Sequence, residues 1–180
     1  NAPQVTFPTV DFSYYQSIAQ STGTYYSSSR TFSTVNSIPS PAGRVVFVNG
    51  NVTISASQST TATIVATGSI TMSGGTTTIS SPSTQPSMIT QTGTITLSGT
   101  GNSNPSCLST TGLVYSGNNF TITGNHHMVT VNGLIVALGE IEGEYSGSAQ
   151  NILTVNYANP GNLSGVSGGS SSTSIRSYNS

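Results

Sequence analysis

The stretch VVFVNGNVTI at residues 45–54 decides how this chain folds, because its pattern returns four times downstream. It reappears as TIVATGSITM at 63–72, MITQTGTITL at 88–97, LVYSGNNFTI at 113–122 and LIVALGEIEG at 134–143. The sixth position of each copy is Gly50, Gly68, Gly93, Asn118 and Gly139, so this pivot recurs at intervals of 18, 25, 25 and 21 residues. Gly or Asn there is the residue choice of a turn with positive φ. Four residues before the pivot stand Val46, Ile64, Ile89, Val114 and Ile135, and two after it stand Val52, Ile70, Ile95, Phe120 and Ile141. Four after it come Ile54, Met72, Leu97, Ile122 and Gly143, and between these two columns lie Thr53, Thr71, Thr96, Thr121 and Glu142. Successive strand residues point to opposite faces, so each copy offers an apolar face inward and a hydroxyl outward. No single copy can bury its apolar face alone, and stacked copies can.

These columns predict an all-β chain, a parallel β-helix of about five coils with a short N-terminal helix and flexible termini. A β-sandwich of hairpins is the alternative. Residues 1–43 read as an N-terminal arm and short capping helix, 44–158 as the β-helix repeat domain, and 159–180 as a Gly/Ser-rich tail. Asp11 and Ser13 open the helix and Gly23 ends it. Tyr14, Tyr15, Tyr25 and Tyr26 are expected to close the open end of the solenoid.

Composition narrows the function. Ser and Thr fill 61 of 180 positions, while only seven residues carry formal charge: Asp11, Arg30, Arg44, Glu140, Glu142, Glu144 and Arg176. Recurrent Val, Ile and Thr distinguish the chain from a disordered polar tract. Three arginines without a lysine cannot neutralise a phosphate backbone, which argues against nucleic acid as a partner. The same scarcity excludes a polybasic membrane patch, and no segment approaches the length of a membrane helix. A nearly uncharged surface fits an extracellular or cell-surface location, and folding should depend little on titrating carboxylates. The start at Asn1 reads as a processed or trimmed N-terminus. Cys107 is the single cysteine, expected as a small buried residue.

The repeats resemble the extracellular β-helix domains of type IV pilus-associated surface proteins, pilin-like and minor-pilin-like. The residues that carry the resemblance are FSYYQSIA at 12–19, VFVNGNVTI at 46–54, VATGSIT at 65–71, GLVYS at 112–116, NGLIVA at 132–137 and LTVNY at 153–157. It implies a surface appendage or adhesion role and brings no catalytic residues. Such proteins usually begin with a hydrophobic pilin-type helix, a segment these 180 residues do not contain.

No phosphate-binding loop, nucleophile elbow or Cys/His zinc spacing is present, and no residue set points to catalysis. The chain is expected not to be an enzyme and to need no cofactor. Glu140, Glu142 and Glu144 alternate on one strand, where they form a solvated acidic stripe or a weak site for Ca2+. His126 and His127 are adjacent, point to opposite sides and read as loop residues. Asn51, Asn119 and Asn162 begin glycosylation sequons, two of them just after a pivot. Thr53, Thr71, Thr96 and Thr121 form an outward ladder. The expected role is therefore a structural subunit of an extracellular filament or pilus-like appendage. It would bind copies of itself through terminal strand and edge contacts, with residues 1–10 as a donated strand. The alternative is a surface adhesin or a glycan- or ice-binding module that uses the threonine ladder.

Overall fold

The computed structural model describes residues 7–41, 44–81, 84–98, 106–124, 127–143, 152–158 and 162–168. The short β-branched runs become short strands, and these wind into a three-sided solenoid. Strand β1 (Thr9–Val10) and helix α1 (Phe12–Thr22) precede a first coil of β2 (Tyr25–Tyr26) and β3 (Arg30–Phe32). The second coil is β4 (Val45–Val48), β5 (Val52–Ile54) and β6 (Gln58–Thr60), and the third is β7 (Thr63–Ala66), β8 (Ile70–Met72) and β9 (Gly75–Ser80). Then come β10 (Met88–Thr90), β11 (Ile95–Ser98) and the long β12 (Ser106–Ser116), whose two halves belong to successive coils. The fifth coil continues through β13 (Phe120–Thr123) into β14 (Met128–Ala137), which is divided in the same way. The last holds β15 (Ile141–Gly143) and β16 (Ile152–Tyr157), and β17 (Val166–Ser167) follows.

Pairing between neighbouring coils is parallel throughout the described strands. A sandwich of hairpins would be antiparallel, so the fold is a parallel β-solenoid of about five turns. Face one runs β2–β4–β7–β10 and on into the second halves of β12 and β14. Face two is β3–β5–β8–β11–β13–β15, and face three is β6–β9 followed by the first halves of β12 and β14 and then β16. Inside, Val52, Ile70, Ile95 and Phe120 stack in register, as do Ile54, Met72, Leu97 and Ile122. All eight are buried in one continuous core.

One column differs from the expected alignment. Ile64 pairs with Met88, not Ile89, and Met88 in turn pairs with Val114. Face-one and face-two partners lie six residues apart in Val46/Val52 and Ile64/Ile70, but seven apart in Met88/Ile95. The corner after β10 therefore holds one extra residue, and strand parity sends Met88 inward and Ile89 outward. The buried Thr90 hydroxyl donates to Gly93 O at 2.6 Å, and the buried Ser116 hydroxyl donates to Asn119 O at 2.7 Å in the next coil. Gly93 O also accepts from the Ser116 hydroxyl at 3.2 Å, and Asn119 O still accepts from Ile95 N–H of the neighbouring coil at 3.0 Å, so the two hydroxyls add bonds at the corners of adjacent coils.

The pivots also differ from expectation. Gly50 has φ +147°, but Gly68, Gly93, Asn118 and Gly139 are not in the left-handed region. Close stacking explains the three glycines better: a Cβ on Gly93 would lie 2.4 Å from the Gly68 carbonyl carbon.

Face one is apolar on both sides. Its outward residues Val45, Phe47, Val65, Ile89, Leu113, Tyr115 and Val136 form a second core with Tyr15, Ala19, Val10 and Leu163. Helix α1, capped by Asp11 and ended by Gly23 at φ 72°, thus lies along the flank of the solenoid and does not close its end. Tyr15 is buried there, Tyr25 stacks on Phe47, and Tyr26 meets Phe32 edge to face. β1 pairs antiparallel with β17, so Thr9 and Val10 are held within their own chain. Part of the stretch read as a tail, residues 162–168, is thereby folded against the helix side.

Candidate functional site

Face two carries the most regular surface. Thr31, Thr53, Thr71, Thr96 and Thr121 follow one another in unbroken register, and Glu142 completes the column. Adjacent rungs are separated by the interstrand spacing of about 4.8 Å. Among the described residues, none bonds the hydroxyls of Thr53, Thr71, Thr96 and Thr121, which face outward. Thr31 is a rung that the sequence reading missed. Comparing SRTFS at 29–33 with NVTIS at 51–55 reveals it, but Arg30 stands where the other coils place an apolar residue.

The neighbouring column, one residue after the pivot, does different work. Asn51 N–H donates to Ser29 Oγ at 2.9 Å, Ser69 N–H to Asn51 Oδ1 at 2.8 Å, and Thr94 N–H to Ser69 Oγ at 3.2 Å. Glu140 N–H donates to Asn119 Oδ1 at 3.0 Å. Side chains at this corner thus take the N–H groups of the next coil, where bent backbones cannot pair directly. The sequon residues Asn51 and Asn119 use their carbonyls axially, as structural links, while Asn162 is exposed.

Glu140 and Glu142 are exposed at the last coil, and Glu144 lies outside the described residues. No cluster of three metal-ligating groups occurs among the described residues. His127 lies in the loop before β14, as its reading expects, but is fully buried there, with Nδ1 accepting from Ser106 N–H at 2.9 Å; His126 lies outside the described residues. Cys107 is half-buried and sits on the outward side of face three, because its neighbour Leu108 takes the inward place beside Val129.

The second notable feature is the last coil, which nothing among the described residues covers. Leu153 and Val155 pair with the buried Val129 and Val131, and Ile141 pairs with the buried Phe120. They occupy core columns, yet Ile141 is 52 %, Leu153 40 % and Val155 44 % exposed. Periodicity placed Ile141 in its column but could not say that the column ends there.

Family models, curated proteins and solved structures were all compared with the chain, and none of them matches it.

Proposed function

We propose that the chain is a structural subunit of an extracellular filament or pilus-like surface appendage, without enzymatic activity, that assembles through the edges of its terminal coils. The observation that carries this reading is the last coil, where apolar residues in core columns stand beside strand edges that no described residue pairs. Such an edge is a template for another strand, and an apolar patch of this kind marks a contact surface. The resemblance of the repeats to pilus-associated β-helix domains points the same way, as does the scarcity of charge, which leaves little long-range repulsion between copies. With Thr9–Val10 paired in its own chain, the coil edges are better joining surfaces than a donated arm.

Electron microscopy and sedimentation test the proposal. Concentrated protein is expected to form filaments with an axial repeat of one solenoid. Val155→Asp should leave monomers whose stability is within about 0.5 kcal/mol of the parent, because the site is already wet. A wild-type chain that stays monomeric at its highest soluble concentration would sink the reading.

A second reading makes face two a binding surface for glycans or for ordered water. Its support is the set of outward threonine hydroxyls in one register. Thr71→Tyr and Thr96→Tyr would break the plane without touching the core. Loss of glycan binding or of thermal hysteresis in these variants is the expected result. A wild-type chain with neither activity removes this reading.

A further inference from the structure

We infer that the open last coil is closed by the first coil of a second copy, stacked head to tail so that β15 pairs with the next copy's β3. This rests on the filament reading and names its junction. The first support is charge. Among the described residues, Arg30 and Arg44 lie in or beside the first two coils, and Glu140 and Glu142 lie at the last. The few charges on the solenoid are thus sorted to opposite ends, and the end faces of two copies are complementary.

The second support is register. The face-two ladder runs without a break from Arg30–Phe32 to Ile141–Gly143, and among the described residues each of these outermost strands has one sheet neighbour. Adding one more coil in the same register sets Ile141 against Arg30, Glu142 against Thr31 and Gly143 against Phe32. The aliphatic stem of Arg30 then covers Ile141, as such stems do on apolar surface. Its guanidinium, held 4.9 Å from the Tyr26 ring centroid, then lies over the open end of the core, while Glu140 and Glu142, which flank Ile141 in sequence, make the facing edge negative.

The two ends are not equally open. At the first coil, the edge of β6 on face three is occupied by residues 34–40. There Ile38 N–H donates to Gln58 Oε1 at 3.0 Å, and Gln58 Nε2 donates to Thr34 O at 2.7 Å. The junction is therefore made by backbone pairing on faces one and two, and the exposed Val35 is left to meet Leu153 and Val155. Contact between two different ends does not close on itself, so it propagates.

Charge reversal at each end tests the junction. Arg30→Glu alone, and Glu140→Arg with Glu142→Arg, should each raise the critical concentration for assembly by about tenfold, with the wild-type value weakened by added salt. An equimolar mixture of the two variants has complementary ends again and should assemble like the wild type. Thermal unfolding of each variant confirms that its coils are intact, and the acidic-end variant changes exposed side chains only. If wild-type protein assembles but Arg30→Glu assembles equally well, or the mixture fails to recover, the stacking is wrong and the filament reading survives. If wild-type protein never assembles, both fall.

Discussion

Replacing Phe120 with Ala is expected to lower stability by about 3–5 kcal/mol, the range for removing a buried aromatic from a core that cannot collapse around the hole. Phe120 is fully buried between Ile95 below and Ile141 above, in a column fixed by backbone pairing on both sides. The coils cannot close up, because their separation is set by the hydrogen-bond ladder of three faces. Thermal denaturation should show Tm falling by roughly 10 °C for a chain of this length. The loss should be steepest toward the C-terminal coils, since each coil is held by its neighbours alone. The control lies one rung further on. Ile141→Ala removes a side chain from the same column but from its exposed end, and should cost less than about 1 kcal/mol in the monomer. Equal losses at both positions would refute the account of the core as stacked columns with an open end.

The sequence carried much of the coil pattern because period two and a fixed pivot-to-strand distance are local properties. Val52, Ile70, Ile95 and Phe120 could be aligned by counting from the pivot, and the structure pairs them in that order. Counting fails where a corner changes length. The extra residue after Thr90 exchanges Met88 for Ile89, and nothing in the composition of that turn announces it. It also fails for tertiary contacts. Face one reads as a strand with apolar residues on both sides, as in VVFV at 45–48, and that is the signal of a doubly covered sheet. The tyrosine-rich helix is its cover. The helix was legible from Asp11 and Gly23, but its docking place was not, because flank and end are equally apolar in sequence. Of the candidate binding face, the threonine column was visible. The division between its solvent-facing hydroxyls and the corner residues Asn51, Ser69 and Asn119 was not, because both groups are polar and two residues apart. The open end of the core is a property of where stacking stops, and no local pattern encodes it.

Raising the pH above about 10 is expected to detach helix α1 and residues 162–168 from face one while the solenoid persists. Tyr15 is fully buried between them, and its hydroxyl donates to Ser164 O. Burial, and then the neighbouring Tyr14 and Asp11, push the Tyr15 phenol well above its ordinary value of 10.0. Burial likewise raises Tyr115 on the same outer core. A raised phenol pKa means that the folded state holds its proton where the unfolded chain has lost it. That contribution to stability is complete below pH 10 and falls as pH rises toward the folded-state value, for Tyr15 by about 1.4 kcal/mol per pH unit. The acid side has no counterpart of this size. Asp11 is held below its ordinary value by the Ser13 hydroxyl and then by the Tyr14 N–H. Its contribution is present above the unfolded-state value and lost as pH falls through the folded one, but the group is fully exposed and only caps the helix. Tyr15→Phe separates the alkaline effect from general loss of structure. At neutral pH it should cost about 0.5–1.5 kcal/mol through the missing hydrogen bond, yet it should move the alkaline transition upward and make it shallower. Hydrogen exchange of residues 12–22 against pH reads the detachment directly, and tyrosinate absorbance reads the ionisation. An unchanged alkaline midpoint in Tyr15→Phe would mean that some other group holds the helix to the solenoid.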